Sequence, residues 1–229
     1  MGAAISKRLA SEGALVVLTY HRSVERAAAL VQEIRGADGQ AIAIAADNAD
    51  PDQVKAAVER TVKEFGGLDI LVNNAGIYVG KDFRDHTMED YEQVMAVNVR
   101  AVYAAALAAV QYIPEGGRII TIGSNMADYA SRPQTTLYTM SKSALQGFTR
   151  GLARDLGSWK ITVNLVQPGP IDTEMNPADG PHADGQRSKS TLGQYGTVED
   201  VAGLVAYLAS EEGRYITGAA LTIDGGINA

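Results

Sequence analysis

"MGAAISKRLASEGALVVLTYHR", residues 1–22, reads as a helix that runs into a strand. Ile5, Leu9 and Ala10 share one helical face and Gly13 follows as a stop, so this helix packs on a sheet. A parallel sheet normally sends a strand into such a helix, whereas here the helix comes first. Further along, short runs rich in Val and Ile alternate with Ala-rich helical patterns. They are "AIAIAAD", "LDILVNNAG", "RIITIGS", "ITVNLVQPG" and "ALTIDGG". That alternation predicts an α/β fold, a doubly wound parallel sheet with helices on both faces.

Helix starts are marked at Ser23, at Asp50 with Pro51, at Thr87 with Asp90, and at Thr197 with Asp200. From about Asp172 to Gly196 the chain is rich in Pro, Gly, Asp and Ser, with no hydrophobic period; it reads as an irregular excursion. With 229 residues and no internal repeat, residues 1–229 form a single domain.

Composition removes several function classes. A net charge of −7 argues against nucleic acid or an anionic membrane as partner, since both demand basic surface. Without cysteine there is no thiolate nucleophile or thiolate metal site, and His21, His86 and His182 lack ligand spacing, so no metal is expected. No stretch resembles a signal core or a membrane span, and the acidic chain reads as cytoplasmic.

Chemistry gathers at strand ends. In "LYTMSKSAL", Tyr138 and Lys142 stand four apart, so phenol and ammonium project from one helical face; alone, this is an ordinary helix pair. Ser124 closes the strand "RIITIGS" just upstream, and the carboxyl ends of parallel strands are where open α/β sheets bind ligands. Asn73, Asn74, Ala75 and Gly76 close another strand, and Pro168 and Gly169 a third; each reads equally as a turn or as a small-residue surface for a cofactor.

Asn73-Asn74-Ala75-Gly76, Asn98 in "MAVNV", Ser124, Tyr138-x-x-x-Lys142, Pro168-Gly169 and "TGAALTIDGG" occur in the order of the short-chain dehydrogenase/reductases. The whole chain resembles that family, and within it the bacterial β-ketoacyl-carrier-protein reductase type. The resemblance implies a Rossmann-like fold, a nicotinamide cofactor and a catalytic tetrad of Asn98, Ser124, Tyr138 and Lys142. Tyr138 would be the general acid for a ketone, with Lys142 supplying charge that makes its proton exchangeable. Ser124 would hydrogen-bond the carbonyl oxygen and Asn98 would steady a water relay, or else act as a buried amide bonded to backbone within its own helix.

The family's acidic NAD-reading residue is replaced here by Thr19-Tyr20-His21-Arg22-Ser23, and with Arg22, Ser23 and His21 available to a 2′-phosphate, NADP(H) is expected. Asp47 would lie by the adenine, and Asn48 is a further expected cofactor contact. Gly2, Asn74, Ala75, Gly76, Tyr138, Lys142, Pro168, Gly169, Ile171 and Thr173 complete the expected cofactor site. Residues 172–196 fall where the family carries a substrate lid, and Met126, Tyr129, Gln134 and Tyr195 are the expected substrate contacts. A homotetramer is implied, through helices at about 100–112 and 138–156 with the last strand.

Gly2 matches the last glycine of the family's phosphate-binding turn, so the first, central strand and most of that turn are expected to be missing. Its two neighbours, near 14–20 and 68–74, would then stand about 10 Å apart, too far to pair. Three accounts fit: a start at an internal methionine of a longer product, strands that slide or detach, or a segment of another chain in the gap. They leave two functional readings, an NADPH-dependent carbonyl reductase and a non-catalytic oligomeric scaffold that binds no dinucleotide.

Overall fold

The computed structural model describes residues 1–229. Helix α1 (Gly2–Ser11) leads into β1 (Leu15–Tyr20), with Gly13 at φ +94 making the left-handed turn between them. There follow α2 (Val24–Gly36), β2 (Gln40–Ala45), α3 (Pro51–Phe65) and β3 (Ile70–Asn73). Helix α4 (Met88–Met95) passes through a π-helical turn, Ala96–Arg100, into α5 (Ala101–Ala109). The remaining elements are β4 (Arg118–Ile122), α6 (Thr136–Leu156), β5 (Thr162–Pro168), α7 (Ala183–Arg187), α8 (Val198–Ala209) and β6 (Ala220–Ile223).

All strand pairs are parallel, but they form two sheets: β1 with β2, and β3-β4-β5-β6 in that order. Strands β1 and β3 do not pair, as the expected gap requires. The four-stranded sheet is covered on both faces, and the period of two along β4 shows it. Ile120 and Ile122 pack with Ile5, Val166, Val201 and Val205 toward α1 and α8. Ile119 points the other way, with Val58, Ala109, Ala153 and Val163 under α3, α5 and α6. The β1–β2 pair has a smaller core of its own, Ala10, Val16, Val31, Ile34 and Ala41.

Capping follows the sequence in part. Asp50 caps α3, accepting from the backbone N–H groups of Asp52 and Gln53, and both Thr87–Asp90 and Thr197–Asp200 form reciprocal capping boxes. Ser23 precedes α2 but its hydroxyl makes no cap bond, which leaves that side chain free. The excursion at 172–196 is less irregular than expected, because α7 lies within it. The expected helix at 138–156 begins two residues earlier, and the one at 100–112 is split between the π turn and α5. No helix is long and apolar enough to cross a membrane.

Candidate active site

Ser124 follows the carboxyl end of β4 and is buried; its Oγ accepts from the N–H of Met126 at 3.2 Å, which fixes the rotamer. Across from it, the first turn of α6 presents Tyr138, and one turn later Lys142. Lys142 is buried at 4 % exposure, and its Nζ donates to the carbonyl of Ile122 at 2.9 Å while standing 5.7 Å from the Tyr138 ring centre. Burial lowers its pKa to about 8. For Tyr138 the direction is the reverse of the expectation. Burial raises the phenol, the neighbouring Ser124 hydroxyl opposing and Tyr78 adding to the rise.

Asn98 sits in the π turn with no exposed surface. Its Oδ1 accepts from the N–H of Ile77 at 2.8 Å, and its Nδ2 donates to the Ile77 carbonyl at 3.0 Å and to Ser141 Oγ at 3.0 Å. Ser141 in turn donates to the Tyr138 carbonyl at 2.7 Å. The amide therefore staples the turn after β3 to the helix that carries Tyr138. It bonds backbone on a neighbouring loop, and π turns of this sort gather at functional sites. Ser141, fully buried, is absent from the expectations above; its signal was only its place within "YTMSKSAL".

Gly76 lies against this group. A Cβ there would stand 3.3 Å from Lys142 Nζ and 3.5 Å from Asn98 Oδ1, so the glycine keeps a concave surface open beside the ammonium. Asn74 Oδ1 is buried without a partner, while its Nδ2 approaches to 2.7 Å of where Gly2 would carry a Cβ. An orphaned acceptor and a glycine cradle at the carboxyl edge of the sheet fit a flat polar ligand such as a nicotinamide nucleotide. Gly169 follows β5 and is pressed on Asp224; Ile171 is packed in the core, and Thr173 donates to its carbonyl.

Near the end of β1, Arg22 and Ser23 are exposed, and the Arg22 guanidinium has no hydrogen bond or carboxylate partner. His21 Nε2 lies 3.5 Å from Asp47 Oδ2, and Asp47 accepts from the N–H of Ala49; Asn48 beside it is half-buried. The structure thus places the adenine-side candidates on the two-stranded sheet and the tetrad on the four-stranded one.

Of the expected substrate contacts, Met126 is half-buried beside Ser124, and Gln134 is held at φ +63 with its carbonyl accepting from the Tyr78 hydroxyl at 3.2 Å. Tyr195 has a buried hydroxyl without a sound hydrogen bond, near Asn176, and the Arg187 guanidinium lies 5.4 Å over its ring. Tyr129 is exposed. Tyr78, not foreseen, packs edge-on against Tyr138 with ring centres 5.2 Å apart. Its signal was its position two residues past Gly76, where the chain leaves the strand end.

The family model described as enoyl-(acyl carrier protein) reductase matches residues 1–228. The chain belongs to the short-chain dehydrogenase/reductases. It is 44% identical over 229 residues to the cyclic-di-GMP-binding biofilm dispersal mediator protein of Escherichia coli K12, covering 100% of this chain and 93% of that one. It superposes on a short chain dehydrogenase from Burkholderia cenocepacia J2315 in complex with NADP. The TM-score is 0.98 and the identity 54%, over 100% of this chain and 93% of that chain. A blue fluorescent protein from a metagenomic library, in complex with NADPH, matches with TM-score 0.98 at 52% identity over the same shares.

Proposed function

We propose that this chain is an NADP(H)-dependent oxidoreductase that reduces a ketone to an alcohol. The observation that carries the reading is the gathering of the half-buried Tyr138 with buried Ser124 and Lys142 in one group stapled by Asn98. A scaffold has no use for a buried ammonium beside a phenol, and groups so perturbed belong to functional sites.

When bound, the cofactor supplies or takes up a hydride at its nicotinamide ring. Gly76, Asn74, Ala75 and Lys142 would hold the nicotinamide end, with Gly2, Pro168, Gly169, Ile171 and Thr173 along its length, and Arg22, Ser23, His21, Asp47 and Asn48 the adenosine end. Arg22 is the basis of the NADP preference, as a guanidinium without a protein anion; the NADP and NADPH complexes of the structural neighbours support it. Ser124 Oγ donates to the carbonyl oxygen as charge grows there. Tyr138 delivers the proton, and its raised pKa keeps the phenol protonated near neutrality, the form that reduction needs. Asn98 acts by positioning.

Residues 172–196 would close over the substrate; Arg26 reaches Glu174 at 2.7 Å, which ties this segment to α2. A homotetramer through α5 and α6 is part of the proposal, supported by Tyr103 and Leu107, exposed on α5. Sedimentation tests that assembly, and cell fractionation tests a cytoplasmic setting. The primary experiment titrates the purified 229-residue chain with NADPH and then screens ketones for NADPH oxidation. Saturable micromolar binding with turnover is expected, and absence of binding would overturn the reading.

A further inference from the structure

Arg132 stands beside the reaction centre with nothing to bind. It is half-buried, its guanidinium donates no hydrogen bond and no carboxylate lies within ion-pair distance, although acidic residues outnumber Lys and Arg, 27 to 20. Its Cζ lies 5.4 Å from the centre of the Tyr78 ring, and Tyr78 in turn meets Tyr138 edge-on at 5.2 Å. Guanidinium and catalytic phenol are therefore no farther apart than two ring contacts in series.

The loop that carries Arg132 is clasped from both sides. The Tyr78 hydroxyl donates to the carbonyl of Gln134, and Lys189 Nζ donates to the carbonyl of Ser131 at 2.9 Å. The other charges here are already committed. Arg187 pairs with Asp184, Asp172 accepts from the N–H of Ala178, and Asp128 accepts from Gln146. A guanidinium held over a ring and without an anion is a ready receptor for a ligand carboxylate, through two parallel N–H···O bonds.

Resting on the reductase reading above, we propose that the site selects ketones that carry a carboxylate a few bonds from the carbonyl, and that Arg132 reads that carboxylate while Tyr138 and Ser124 hold the ketone. Tyr78 is the spacer between the two functions. It meets the phenol in a T-shaped pair and supports the guanidinium with its face.

The test uses the full chain and a series of methyl-ketone acids, from 4-oxopentanoate through 5-oxohexanoate to 7-oxooctanoate, each beside its methyl ester. For at least one chain length kcat/KM should favour the acid over the ester by roughly ten- to hundredfold. In Arg132→Ala that ratio should fall close to one, and Arg132→Lys should restore part of it. A series without acid preference, or a preference that survives Arg132→Ala, would overturn the proposal. If no ketone of either kind is turned over, it is the reductase reading that fails. Calorimetric binding of the same acids to the native chain and to Arg132→Ala then decides the present proposal. Binding that depends on Arg132 supports it, and absent or equal binding removes it.

Discussion

The two sheets of this molecule solve the placement of polar groups in opposite ways. On the four-stranded sheet, Asn98, Ser124, Ser141 and Lys142 are all buried, and each has a protein partner before any ligand arrives. On the two-stranded sheet, Arg22 and Ser23 are exposed and make no side-chain bonds. The first region is preorganised, so its function is coupled to the fold. The second offers loose groups whose order must come from the ligand, and its effects on affinity should be smaller and more salt-sensitive.

Four substitutions probe that contrast, from the largest effect to the smallest. Tyr138→Phe removes the transferable proton and keeps the ring against Tyr78. Turnover should drop by about 10²–10⁴-fold with NADPH affinity retained, and equal loss of both would erase the distinction between chemistry and binding. Asn98→Ala would orphan the N–H and C=O of Ile77. The cost is about 3 kcal/mol of stability, visible as a Tm lower by several degrees. An unchanged Tm would show that the staple is not structural.

The third probe is pH. Lys142 is lowered from 10.5 to about 8, so between about pH 8 and 10 the unfolded chain holds a proton that the folded chain has released. Stability should therefore rise with pH in that window, by about 2 kcal/mol. Above it the raised Tyr138 reverses the slope, since the unfolded phenol ionises first. Urea unfolding against pH should lose the rising limb in Lys142→Met. Smallest is Arg22→Ala, expected to weaken NADPH about tenfold while leaving NADH nearly untouched; an equal effect on both cofactors would place Arg22 away from the 2′-phosphate.

Much of this was legible because strand ends and helix spacing are local signals. The period along "RIITIGS" set two faces for β4, and Tyr138 and Lys142 four apart in a helix had to share a side. The separation of β1 from β3 came from the family resemblance, with strand spacing setting only its size. What escaped depends on side chains that meet across the chain. Tyr78 and Arg132 are 54 positions apart, and neither has a local pattern that announces an aromatic contact with the other. The direction of the Tyr138 shift escaped for a similar reason, because it turns on how deeply the folded chain buries the phenol. The short α7 was hidden by the Gly and Asp around it.

The π turn at Ala96–Arg100 has a consequence for how this region tolerates change. It spends one residue more than an α turn on a single circuit, so the spare residue is absorbed locally and α5 keeps the phase that α4 sets. Deleting one residue there would return the segment to ordinary helix with α5 nearly in place, and the change would fall on Asn98, whose side chain reaches Ile77 from within the turn. The same deletion inside α5, which has no residue to spare, would rotate the small-residue face of Ala101, Ala105 and Ala109 by about 100°. The turn is thus a store of slack in the chain, and the slack sits where the amide is placed.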